Sequence, residues 1–196
     1  MKKKLVSVLA IVLVIAMSVA GTYAYLTSRD QVVNTFTVGN VKITMDETDV
    51  DNSTEDAARD TRNAYKLLPG HTYTKDPIIH VDADSENCYL FVKVENKIAD
   101  IEGTNTVAVQ MARNGWVAVE GKSDVYAYTV DNALTAVEAG ANVDVFETLT
   151  IGDSVTNNDL AKYANKTITV TAYAIQADGF DGKTAAEIWT AAGFDA

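Results

Sequence analysis

Much of the chain alternates apolar and polar residues with a period of two, and that spacing restricts it to β-structure. The clearest run is Asn87-Cys88-Tyr89-Leu90-Phe91-Val92-Lys93-Val94-Glu95, which places Cys88, Leu90, Val92 and Val94 on one side. Successive side chains of a strand point to opposite faces, so the pattern suits a strand with one face in a core. Similar runs over residues 35–45, 76–81, 88–96, 106–111, 116–119, 125–130, 144–151 and 167–176 predict short antiparallel strands. Together they predict an all-β fold, a jelly-roll-like antiparallel β-sandwich. Asn114-Gly115 reads as a two-residue hairpin turn joining 106–111 to 116–119, because both residues tolerate positive φ. In the first run Phe36 and Val38 fall on even positions but Val41, Ile43 and Met45 on odd ones, so a bulge or bend is expected at Gly39-Asn40.

Short helices are expected at the periphery. One lies around residues 159–164. The other is at the C-terminus, where Thr184 and Glu187 have capping-box spacing, Ala185, Ile188, Trp189 and Ala192 form an apolar face, and Gly193 ends the helix. Trp189 is expected to anchor it to the sheet. No linker or repeat divides the remaining chain.

The N-terminus has a different character. Lys2, Lys3 and Lys4 precede an uncharged run from Leu5 to Ala20, which is followed by Gly21-Thr22-Tyr23-Ala24. Lysines stay on the cytoplasmic side, the apolar run partitions into hydrocarbon, and small side chains at Thr22 and Ala24 fit a signal peptidase cleft. Residues 1–24 therefore read as a secretory signal peptide cut between Ala24 and Tyr25. An uncleaved anchor is disfavoured, because a run of about 16 residues falls short of the roughly 20 needed to span a bilayer. Losing three lysines and no acid takes the 16 basic residues to 13 against 27 acidic ones, a net charge of −14. A surface of that sign repels phosphate, which argues against a nucleic-acid partner. Cys88 is the only cysteine, so an exported domain must hold itself together by packing, and Cys88 is expected in the core.

The residues that bear chemistry give little support for catalysis. His71 and His80 belong to no H-E-x-x-H helix, and no P-loop, G-x-S-x-G or dinucleotide fingerprint occurs. Residues 46–61 collect Asp46, Glu47, Asp49, Asp51, Glu55, Asp56 and Asp60 and read as a solvated acidic loop. No start within it has the Gly and Glu spacing of an EF-hand. The expectation is no catalytic residue, no metal and no cofactor.

Four segments carry a resemblance: the signal peptide ending Gly-Thr-Tyr-Ala24; the mature start Tyr25-Leu-Thr-Ser-Arg-Asp30; Asn34-Thr-Phe-Thr-Val-Gly-Asn-Val-Lys-Ile-Thr44; and Leu67-Leu-Pro-Gly-His-Thr-Tyr-Thr-Lys-Asp76. The chain resembles the TasA/camelysin family of secreted Gram-positive biofilm matrix proteins, which are processed by a dedicated ER-type signal peptidase. The ending from Thr169 to Phe180 and the Trp189 helix are also similar to members of that family. The resemblance implies an extracellular fibre subunit that polymerises by donor-strand exchange, homopolymeric or with an accessory subunit. Residues 25–38 would then be the donor and 39–196 the sandwich domain. An extended peptide satisfies the free N–H and C=O groups of an edge strand, and in 25–38 the side chains for its pockets are Leu26, Val32, Phe36 and Val38, all on even positions. Two alternatives stand beside this reading: a camelysin-like surface metalloendopeptidase, whose zinc motif is missing, and a monomeric adhesin that uses the acidic loop or a Tyr126 and Tyr128 face.

Overall fold

A computed structural model describes residues 39–53 and 58–195. They form antiparallel sheets with a few short helices, the all-β class expected. In chain order the elements are β1 (Ile43–Thr48), β2 (Arg59–Asp60), β3 (Thr72–Thr74), β4 (Ile78–Val81), β5 (Cys88–Asn96), α1 (Val107–Arg113), β6 (Trp116–Ala118), β7 (Val125–Val130), β8 (Ala133–Leu134), β9 (Asn142–Asp144), β10 (Thr148–Thr150), α2 (Asn157–Leu160), β11 (Ile168–Gln176) and α3 (Ala185–Ala191). One sheet is four-stranded in the order β2-β1-β4-β9. A five-stranded sheet runs β11-β5-β7-β6 with β8 on β7, and β10 pairs with β3. No helix among the described residues is long and apolar enough to cross a membrane.

The two larger sheets share one core. Ile79 and Val81 of β4 and Val143 of β9 pack with Cys88, Leu90, Val92 and Val94 of β5 and with Trp116 of β6. The alternation in β5 is thus the face the sequence assigned to the interior, and Cys88 lies fully inside it. The opposite face of the five-stranded sheet is also covered. Phe91, Val125 and Ala127 meet Ile188 and Trp189 of α3. Thr184 and Glu187 form the expected capping box, and Gly193 adopts φ +72 just past the helix end. Trp189 lies edge-on to Phe91, Tyr173 and Phe194, and its indole N–H donates to Asp195 at 2.7 Å.

Four expectations are corrected. Residues 106–111 are not a strand: Val107–Arg113 is helix α1. Thr106 caps its N-terminus by accepting from the Val109 N–H, and the Glu102 carboxylate accepts from the Val107 N–H at 2.9 Å. Val107, Gln110 and Met111 are buried at helical spacing, while Val109 is exposed. Asn114-Gly115 is accordingly the C-terminal cap of α1. Gly115 has φ +88, and a Cβ there would meet the Thr129 carbonyl at 2.4 Å. The run 144–151 is two strands in different sheets, β9 and β10, and the break is satisfied by the buried Gln110 amide. Its Oε1 accepts from the N–H groups of Glu147 and Thr148, and its Nε2 donates to the Thr148 carbonyl. Tyr126 and Tyr128 pack against the central core and are half-buried. Finally, the acidic stretch begins as strand: Asp46 and Glu47 lie in β1, and β2 pairs back onto it.

Ile43 and Met45 pack on the core from odd positions as expected. Gly39 and Asn40 precede β1, with the Asn40 carbonyl accepting from the Glu86 N–H.

Candidate functional site

The longest unpaired strand edge among the described residues belongs to β11. Among those residues this nine-residue strand pairs only with β5, Ile168 opposite Asn96 through to Gln176 opposite Cys88. The Val94 N–H of β5 points away from β11 toward Asp124, whereas the Lys97 N–H donates to Thr167 and the Ala177 N–H to Asn87. Hydrogen bonding alternates along an antiparallel pair, so the odd residues of β11 bond to β5. The N–H and C=O groups of Ile168, Val170, Ala172, Ala174 and Gln176 therefore point outward. The other edges are short or filled. At β9 the Trp116 indole donates to the Asp144 carbonyl and the Asn114 amide to the Val145 carbonyl.

The side chains along the same edge are half-covered. Ile168, Val170, Ala172 and Ala174 of β11, with Val41, Ile43 and Met45 on and before β1, pack against the central core while partly exposed. At the Ile168 end a cleft of about 660 Å³ opens, lined by Ile168 and Val170 of β11 together with Met45, Tyr65, Leu67 and Leu149.

A charged network lies in the cleft lining contributed by β1 and residues 61–75. Lys75 donates to Glu47 at 2.7 Å, and both side chains are nearly buried, at 11% and 9% exposure. The other Glu47 oxygen accepts from Asn63, and the Tyr65 ring lies 5.7 Å from the Lys75 ammonium. Burial pushes the Tyr65 phenol up, with Glu47 and Asp76 adding to it. Arg59 of β2 bridges Asp46 and Asp76. Burial raises both carboxyls, but the Arg59 hydrogen bond and the adjacent His80 on Asp46, and the hydrogen bonds from Thr48 and Arg59 on Asp76, outweigh it and hold both below the usual range.

No family model, curated protein or solved structure matches the chain.

Of the residues singled out in the sequence, Ala24, Tyr25, Leu26, Val32, Phe36 and Val38 lie outside the described residues. His80 sits on β4 between Asp46 and Asn142, and His71 lies edge-on to Tyr73. Asp49, Asp51 and Asp60 bring oxygens within 4.8 Å of one another. Those carboxylates accept N–H groups of Asp51, Ser53, Arg62 and Ala64, which shapes the loop. Sequence reasoning missed the Lys75–Glu47 pair and the position of β11 at an edge. The only signal for the pair was a lone lysine before Asp76; for the edge there was none.

Proposed function

We propose that the protein is a secreted structural subunit of an extracellular fibre, in which residues 25–38 of one copy complete the sheet of the next. The core-flanked edge of β11, unpaired among the described residues, carries this reading. A strand added there satisfies five residues' worth of backbone groups, each bond worth about 0.5 to 1.5 kcal/mol net, and covers the partly exposed apolar row. Each large side chain buried adds about 1.5 to 3 kcal/mol. A jelly-roll arrangement of the sheets, export by cleavage between Ala24 and Tyr25, and a matrix or cell-surface location belong to the same proposal. Cleavage acts as the switch, because a segment tethered to a membrane-inserted signal peptide cannot thread into a neighbour.

Negative-stain electron microscopy tests it on protein beginning at Tyr25 beside protein beginning at Gly39. Filaments from the longer chain alone are expected. Filaments from both, or monomers from both at rising concentration, would sink the reading. Zinc content and cleavage of an unstructured substrate would instead favour the peptidase alternative.

A further inference from the structure

We infer that residues 32–38 of a second copy dock antiparallel to β11 with Phe36 seated in the cleft beside Val170, an inference that rests on the fibre-subunit reading.

Direction follows from what each row of side chains meets. The even residues of β11 face the central core, and the odd residues Tyr173 and Ile175 face α3. An added strand must put its apolar row opposite Ile168, Val170, Ala172 and Ala174. In residues 32–38 that row is Val32, Asn34, Phe36 and Val38. Phe36 is the largest side chain in the segment, and the cleft of about 660 Å³ has Ile168 and Val170 in its lining.

With Phe36 fixed there, a parallel strand would carry Val38, Asn40 and Lys42 along Ala172 to Gln176. The donor's own fold already uses those residues. The Asn40 carbonyl accepts from the Glu86 N–H and the Lys42 carbonyl from the Asp82 N–H. An antiparallel strand instead lays the residues before Phe36 along Ala172 to Gln176, and nothing in the donor's described sheets is unmade.

The antiparallel register also matches the outer row. With Phe36 opposite Val170, Thr37 faces Thr169, Thr35 faces Thr171, and Val33 faces Tyr173, whose ring already packs on Trp189. Threonine pairs and an aliphatic beside an aromatic are favourable cross-strand neighbours. Inside, Val38 meets Ile168, Val32 meets Ala174, and Asn34 falls opposite the small, half-exposed Ala172. Because the odd residues of β11 bond to β5, the Thr37/Thr169 and Thr35/Thr171 pairs are non-hydrogen-bonded ones. Their Cα atoms would lie about 4.5 Å apart, within the range a disulfide spans.

Double-cysteine variants of the chain beginning at Tyr25 test this directly. Thr169 and Thr171 are exposed, so cysteine there spares the core, and Cys88 is buried and stays in place. After assembly and mild oxidation, Thr37→Cys/Thr169→Cys and Thr35→Cys/Thr171→Cys are expected to give ladders of covalent oligomers on non-reducing gels. Thr35→Cys/Thr169→Cys and Thr37→Cys/Thr171→Cys are expected to stay largely monomeric. Phe36→Ala should cut fibre mass roughly tenfold or more with the melting curve unchanged. Ladders only from the second set of pairs, fibres that cross-link in neither set, or a disulfide closed within one chain would overturn the antiparallel register while leaving fibres intact. Loss of fibres from the wild-type chain itself would instead overturn the parent reading.

Discussion

Replacing Lys75 with methionine should destabilise the fold far more than an ordinary surface charge deletion. Glu47 lies on β1 with its side chain 9% exposed, and without Lys75 it keeps one polar side-chain partner among the described residues, the Asn63 amide. A carboxylate stranded at that depth has lost its water without regaining its counter-ion. Breaking a buried pair in this way costs about 3 to 5 kcal/mol, whereas an exposed pair contributes about 0 to 1. In a domain of this size each kcal/mol moves the midpoint by about 2 to 4 °C, so Lys75→Met is expected to lower Tm by roughly 6 to 20 °C. Removing both charges, in Lys75→Met/Glu47→Leu, should restore the midpoint to near that of the wild type or above it, because desolvation of the pair is relieved as well. Thermal and urea unfolding followed by circular dichroism would give the four corners of the cycle. A single-variant cost below about 1 kcal/mol would mean that water reaches the pair through the adjoining cleft, and would refute its assignment as a desolvated clamp on β1.

Trp189→Ala should cost about 3 to 5 kcal/mol by emptying the α3 interface, seen as a lower urea midpoint and a loss of near-ultraviolet signal. Burial pushes the Cys88 thiol up to about 11, so a thiol reagent at pH 8 should leave it untouched in the native protein and modify it fully in denaturant. Asp46 and Asp76 are held below the usual carboxylate value in the fold, so their stabilisation is present above the unfolded value of about 3.9 and is lost as pH falls through the lowered one. The wild-type midpoint should drop on acidification below about pH 4, and Arg59→Met should flatten that drop; equal slopes would count against the network. A chain beginning at Tyr25 has a net charge of −14, so its copies repel one another and fibre yield should rise with added salt.

Elements whose formation is local were legible in the sequence. The strands at Cys88–Asn96, Val125–Val130 and Ile168–Gln176 and the Thr184/Glu187 capping box were all expected at or within a residue of where they lie. In each the side-chain period or the capping geometry leaves one solution. Thr106-Val-Ala-Val-Gln-Met111 satisfies two periods at once: read by twos it is a strand, read by threes and fours a helix. The choice fell to Glu102, which reaches the first N–H of α1, and to Gln110, which finds its partners on β10. Residues 144–151 were read as one strand because the sequence does not register that the chain changes sheets there.

The candidate site was hardest to read, because no local pattern marks a sheet edge. The alternation of Ile168, Val170, Ala172 and Ala174 fixes which way those side chains face, but whether a neighbour bonds to the outer side depends on strand order, which only long-range pairing sets. Likewise Lys75 and Glu47 are 28 positions apart and meet because β1 and the segment after β3 converge behind one cleft. By itself the sequence determined the secondary-structure period, the buried faces and the terminal helix. The tertiary structure decided which strand edge stays unpaired and which charges lose their water, since both depend on what lies alongside in space.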